Sequence, residues 1–360
     1  MTFEEARAAF PVLERIAYLN AGTNGPLARA TVEAMVAQEL VDLAEGRAGA
    51  GYYTRSRELR ERVREKMAAL ISVPAENLAL TTSTTNGCNI VLSGLGLGPD
   101  DEVVTTDEEH FGLLGPLHTA GVNVRVAATR GLEPAAALEG LLDAVGPKTR
   151  LLALSHVSWV TGNVLPIAEL ARETGLRILV DGAQSGGAIE VDATPFDYYT
   201  VSGQKWPCGP DSTGALYVRD PDSLRVAAPS YFSQFSFEPA GAFEPRPGAG
   251  RFDHGFLGAT LLSGLEAALD SAPEWRFARA RETAAHCREL LAERYEVVTA
   301  PGQATLVAFT PAGDPTEAVA RLAEHDVVVR DIPGSGLVRV SCGYWTSDDD
   351  LDRLLAGLTG

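Results

Sequence analysis

The stretch Thr200-Val201-Ser202-Gly203-Gln204-Lys205-Trp206-Pro207-Cys208-Gly209-Pro210 decides how this chain is read. It continues a short apolar run, Tyr198 to Val201, and sets one lysine between small polar residues and an indole. A lysine at a strand end can snorkel to solvent. A lysine held in a pocket instead loses its proton more readily and can act as a nucleophile toward a carbonyl carbon. Both readings fit the stretch alone, and the surrounding chain must separate them.

One strand earlier, Leu176-Arg177-Ile178-Leu179-Val180-Asp181 is an apolar run that stops at a carboxylate. Ligands of open α/β sheets sit beyond the carboxyl ends of strands, although an Asp there also serves as an ordinary helix cap. Lys205 and Asp181 together supply what a pyridoxal ring requires: an amine for its aldehyde carbon and a carboxylate for its ring nitrogen. Upstream, Thr81-Thr82-Ser83-Thr84-Thr85-Asn86-Gly87 places five consecutive hydroxyl residues at the start of a helix. Free N–H groups and the helix dipole favour a phosphate there; a Ser/Thr-rich cap has the same composition. His110 follows the strand-like run Glu102 to Thr105, placed either to stack on a flat ring and carry protons or to make a structural hydrogen bond.

From Leu78 to Val218 short apolar runs alternate with helical stretches, which predicts a mostly parallel sheet covered on both faces. Beyond the Pro/Gly-rich Arg246 to Gly250, the order changes to helix, strand, helix, two strands, helix. At 360 residues the chain exceeds one ordinary core, so we expect a large α/β domain at 14–257 and a small α+β domain from 1–13 with 258–360. The net charge of -18 argues against nucleic acid or an anionic membrane as partner. No apolar run approaches the ~20 residues of a membrane span, and the acidic start Met1-Thr2-Phe3-Glu4-Glu5 is unlike a signal peptide; a cytoplasmic location is expected. Cys88, Cys208, Cys287 and Cys342 are scattered without C-x-x-C spacing, so neither a metal site nor a disulfide framework is expected.

The run Asp181-Gly182-Ala183-Gln184, the motif Ser202-Gly203-Gln204-Lys205-Trp206 with Cys208-Gly209-Pro210, and Leu154-Ser155-His156-Val157 before Thr161-Gly162 resemble the class V aminotransferase and cysteine desulfurase family of pyridoxal phosphate enzymes. The likeness runs from Phe10-Pro11 and Tyr18-Leu19-Asn20 to Arg339. Asn86 to Ile90, Glu109-His110 and Lys205-Trp206 are most similar to its cyst(e)ine C–S lyase type. The resemblance implies the fold-type-I architecture, a seven-stranded sheet in the large domain, and a homodimer with active sites at the interface. It also implies roles: Lys205 bonded to pyridoxal 5'-phosphate, Asp181 on the ring nitrogen, Gln184 on the ring hydroxyl and His110 stacked on the ring. Thr84, Thr85, Ser202 and Gln204 would hold the phosphate, and Arg339 and Asn20 the substrate.

Three positions depart from the family pattern. Gln204 replaces a common His, Val160 stands where relatives often carry Asn, and Phe256 stands where a Thr usually reaches the partner's phosphate. The loop Val329 to Gly336 also lacks the thiol that a cysteine desulfurase uses. The expected reaction is therefore β-elimination from cystine, cysteine or an S-substituted cysteine, giving a thiol or persulfide, pyruvate and ammonia. A desulfurase lacking that thiol, a transaminase and an epimerase are the alternatives. The aromatic segment Ser230 to Phe237 either lines the substrate pocket or fills a core or subunit contact.

Overall fold

The computed structural model describes residues 1–359. Helix α1 (Phe3–Ala8) and strand β1 (Ala17–Tyr18) precede two long helices, α2 (Arg29–Glu45) and α3 (Gly49–Leu70). Strand and helix then alternate: β2 (Leu78–Thr81), α4 (Thr84–Gly94), β3 (Glu102–Thr106), α5 (Phe111–Thr119), β4 (Asn123–Ala127), α6 (Pro134–Ala144), β5 (Thr149–Ser155), α7 (Ile167–Thr174) and β6 (Arg177–Asp181). β7 (Tyr198–Ser202) and β8 (Gly214–Val218) complete this part. A hairpin of β9 (Gln234–Phe237) and β10 (Phe243–Pro245) leads to α8 (Ala259–Ser271) and α9 (Arg276–Ala292). The chain ends with β11 (Glu296–Val297), β12 (Leu306–Thr310), α10 (Pro315–Glu324), β13 (Val327–Val328), β14 (Arg330–Ile332), β15 (Leu337–Ser341) and α11 (Asp348–Thr359).

Seven strands form the large sheet in the order β2-β8-β7-β6-β5-β3-β4. β8 runs antiparallel to both its neighbours, and the remaining pairs are parallel. The α/β expectation and the mostly parallel seven-stranded sheet are borne out. Alternation along each strand divides the core in two. Leu152, Val180 and Val201 meet α3 and α8 on one face, while Leu151, Leu179 and Leu216 meet α4 and α5 on the other. Each fully buried aliphatic side chain contributes about 1.5–3 kcal/mol, which fixes strand register, because a one-residue slip would exchange the faces.

The small sheet is antiparallel, in the order β11-β12-β15-β14. We propose 14–257 against 1–13 with 258–360 as the folding units, with two refinements from packing. Leu262 and Leu265 of α8 are buried in the large sheet's core, and Ala17 and Leu19 in the small sheet's core.

Element boundaries have local causes. Helix α1 ends at Ala8, and a 3-10 turn begins at Pro11, whose ring cannot donate to a continuing helix. Helix α5 forms around Pro116 because Leu113 and Leu117 are fully buried and His110 caps its start.

Candidate active site

Parallel register brings the strand ends together. Ser155 of β5 lies opposite Asp181 of β6, and Asp181 opposite Thr200 of β7. Ser202, at the end of β7, is the register partner of Gly214, which in turn faces Thr81 of β2. Glycine is needed at 214, because a Cβ there would lie 3.1 Å from the Ser83 nitrogen. This close approach lets the start of α4 reach β7, and the Thr84 N–H points to Ser202 Oγ at 3.5 Å. Ser83 Oγ already caps Asn86 N, leaving the first-turn N–H groups directed at the cleft.

Lys205 lies just beyond this corner. Burial lowers its pKa to about 8, with Asp181 opposing the shift and Arg339 and Arg330 adding to it. The Asp181 carboxylate is buried, accepts from Ala183 N at 2.9 Å and is hydrogen-bonded to the Thr84 hydroxyl. Burial raises its pKa, while Lys205 favours the charged form. Thr84 thus faces Asp181 with its side chain and the phosphate corner with its backbone. Thr85 Oγ1 abuts Gly112 at the start of α5, so two helix N-termini converge there. Gln204 has a buried side-chain oxygen without a partner, and rotation of the amide would present its nitrogen instead.

His110 Nδ1 accepts from Gly112 N at 3.0 Å, which puts the neutral ring's proton on Nε2. Burial, then Lys205, Arg330 and Arg339, lower its pKa to about 4, so the ring is uncharged at neutral pH. The Trp159 indole meets it edge-on, centroids 5.0 Å apart. Gln184 donates from Nε2 to Gly22 O at 2.8 Å and accepts from Trp206 Nε1 at 3.1 Å, leaving one amide N–H for a ligand.

The opposite wall comes from the small domain. Arg339 of β15 is fully buried and donates from Nη1 to Trp159 O at 2.9 Å. Its Nε and Nη2 have no partner. Burial and the nearby Arg330 lower its pKa to about 9, so it stays cationic at neutral pH. Gly22 allows this packing, since a Cβ there would stand 2.8 Å from Arg339 Nη2. Asn20 lies on the same wall: its Oδ1 accepts from Thr23 Oγ1 at 2.8 Å, and Thr23 Oγ1 accepts from Arg330 Nη1 at 3.2 Å. Val160 turns away, buried against Ala308, Ile332 and Leu337.

Three further groups belong to the cleft. Arg330 lies over the Trp159 ring at 5.8 Å; its signal in the sequence was a second arginine on the strand preceding Arg339. Behind Asp181, Glu109 accepts from Ser155 N (3.0 Å), Ser155 Oγ (2.5 Å) and Thr106 Oγ1 (2.9 Å). Burial raises its pKa to about 7. The third is a chain from His156 Nδ1 through Tyr199 OH (2.9 Å) to Ser185 Oγ (2.5 Å). All four cysteines are free and buried, and burial raises the pKa of Cys88 and Cys208.

The cleft fits pyridoxal phosphate. A buried carboxylate stands near a lysine of lowered pKa, two helix N-termini and Ser202 suit a phosphate, and unpartnered buried guanidinium donors suit an amino-acid carboxylate.

Comparison with known proteins agrees. The sequence profile of the family described as "Aminotransferase class-V" matches residues 18–354. The chain is 30% identical to isopenicillin N epimerase of Streptomyces clavuligerus, over 99% of this chain and 98% of that one. It is 33% identical to cysteine desulfurase of Serratia proteamaculans (strain 568), over 74% of this chain and 71% of that one. Among solved structures, the cystine C–S lyase C-DES in complex with its reaction product cysteine persulfide superposes with a TM-score of 0.88 at 29% identity, covering 97% of this chain and 98% of that one. A C-DES mutant with glycine covalently linked to the PLP cofactor gives a TM-score of 0.89 at 28% identity, covering 98% of each chain.

Proposed function

We propose that this chain, which belongs to the class-V aminotransferase family and uses pyridoxal 5'-phosphate as its cofactor, is a carbon–sulfur lyase acting on cystine or an S-substituted cysteine. When bound, the cofactor supplies an electron sink conjugated to the Cα of an amino acid. Lys205 and Asp181 would hold its ring, with His110 beside it and Gln184 at its hydroxyl. Ser202, Gln204, Thr85 and the start of α4 would hold its phosphate.

The chain's own groups then set the chemistry. Arg339 takes the substrate carboxylate on its two free donors, fixing which Cα bond faces Lys205. Lys205 Nζ, with its lowered pKa, removes the Cα proton. The Cβ–S bond breaks with its electron pair leaving on sulfur, and Arg330 faces the departing anion. The released 2-aminoacrylate takes up water to give pyruvate and ammonia. His110, uncharged and capping α5, keeps the ring wall apolar and unprotonated.

One observation carries elimination over desulfuration. The turn joining β14 to β15 is Pro333-Gly334-Ser335-Gly336, and each of the four cysteines is buried. No enzyme thiolate is therefore available to attack the substrate's sulfur.

Epimerisation at Cα is a second reading, favoured by the 30% identity to isopenicillin N epimerase over 99% of this chain. Incubating holoenzyme with S-methylcysteine in D2O separates the two. Elimination gives pyruvate and methanethiol; deuterated, racemised S-methylcysteine without pyruvate would favour the epimerase. No described helix is long and apolar enough to cross a membrane, and we propose a cytoplasmic homodimer.

A further inference from the structure

Arg330 stands at the mouth of the lysine pocket, where its charge is felt at both Lys205 and His110. The neighbouring acid, Asp331, lies on the other face of β14 and accepts from Thr316 Oγ1 at 3.2 Å. A neutral group holds Arg330 instead: its Nη1 donates to Thr23 Oγ1 at 3.2 Å, while the guanidinium carbon lies 5.8 Å from the centre of the Trp159 ring. Among the described residues this grip leaves the Nε–Nη2 edge of the fork unengaged. Such an edge takes a carboxylate by two parallel hydrogen bonds.

Thr23 is itself held from both sheets. Its hydroxyl donates to Asn20 Oδ1 at 2.8 Å, so it turns a lone pair to Arg330. Thr23 N donates to Asn20 O at 2.9 Å, which closes a turn. On one side of that turn, Ser341 of β15 donates from N to Leu19 O at 2.8 Å and accepts at Oγ from Gly22 N at 3.2 Å. On the other side, Gly25 N donates to Gln204 O at 2.8 Å, next to Lys205. Only glycine permits this approach, because a Cβ at position 25 would collide with Lys205 O.

An unheld arginine samples many rotamers and loses that freedom when it binds a ligand. A hydroxyl fixed in a pinned turn removes part of that loss beforehand and aims the fork.

We propose that Thr23 is a positioning residue that fixes Arg330 for amino acids bearing a second carboxylate at the far end of the side chain, and so sets a preference for these over amino acids with an uncharged side chain. The inference rests on the reading of the lysine pocket as an amino-acid site with Arg339 at the α-carboxylate. It is read by binding, apart from carbon–sulfur cleavage.

L,L-2,7-Diaminosuberate tests it, being cystine with both sulfur atoms replaced by methylene groups: it keeps the distal carboxylate and has no leaving group. L-Norleucine lacks the distal carboxylate. Affinities come from titrating holoenzyme with each and following the cofactor's absorbance. Thr23→Val keeps the shape of the side chain and removes its hydroxyl, so diaminosuberate should bind roughly tenfold more weakly and norleucine as before. Thr23→Ser retains the hydroxyl and should restore the parent's preference. Because the hydroxyl acts through the guanidinium, adding Thr23→Val to Arg330→Ala should cause no further loss. Four results would overturn the proposal: no preference for diaminosuberate over norleucine in the parent, unchanged diaminosuberate binding in Thr23→Val, equal weakening of both amino acids in that variant, or additive losses in the double variant. The expected binding pattern without pyruvate from cystine would refute the carbon–sulfur lyase and support this assignment.

Discussion

Arg330 and Arg339 are register partners across the β14–β15 hairpin, and among the described residues neither is paired with a carboxylate. Two cations without an acid at the mouth of a lysine pocket ask for more negative charge than one amino-acid carboxylate provides. Arg339→Lys keeps the charge but loses the planar fork, so kcat/KM should fall by about 2–3 kcal/mol, roughly 30- to 150-fold. Arg330→Ala should raise KM for cystine, which has a second carboxylate, about tenfold more than for S-methylcysteine. Steady-state kinetics on both substrates checks the ratio.

Asp181→Asn removes the buried anion near Lys205 and keeps its shape. Loss of one partner of a buried charge pair costs about 3–5 kcal/mol, so turnover should drop by roughly two to four orders of magnitude while pyridoxal phosphate still binds. Single-turnover rates with the reconstituted variant give the comparison.

Ser202→Ala should weaken the cofactor rather than slow the chemistry. A hydrogen bond to a charged phosphate contributes about 1.5–3 kcal/mol, so reconstitution of the apo-protein should need about tenfold or more pyridoxal phosphate, with little change in kcat at saturation.

Glu109 gives the apo-protein a pH signature. Its folded pKa of about 7 lies above its ordinary 4.5, so between these values the folded state binds the extra proton. Stability should therefore rise as pH falls from 7 to 4.5, on the order of 3 kcal/mol for this group. Denaturant unfolding across that window should give a flatter profile for Glu109→Gln than for the parent, whatever the variant's absolute stability.

Asp253 anchors β2 to α3 through Arg60 and Arg64, both buried. Asp253→Ala leaves buried Arg60 without an acid and Arg64 with only the partly exposed Glu61, and the unfolding free energy should drop by about 3–5 kcal/mol.

The fold and the lysine pocket were largely legible because each depends on local pattern. Apolar runs reveal strands, and Asp181 and Lys205 sit at strand ends that parallel pairing must align. The second arginine, Arg330, was not singled out because its pairing with Arg339 arises from a hairpin register. Glu109 read as half of a Glu-His motif, and its burial beneath Asp181 depends on Ser155 of another strand. The link from Asn20 through Thr23 to Arg330 was not legible either, because it is set by the turn rather than by any pattern of residues. The aromatic segment Ser230 to Phe237 resisted reading because exposure decides its meaning: Tyr231, Phe235 and Phe237 are exposed, which removes a core role.

The central claim is elimination without an enzyme thiol. The most direct test supplies holoenzyme with cystine and quantifies pyruvate, persulfide sulfur and the intact mass of the protein. The account predicts pyruvate and cysteine persulfide in equal amounts, an unchanged protein mass, and loss of both products in Lys205→Ala. Alanine as the carbon product, with sulfur carried on a protein cysteine, would contradict it.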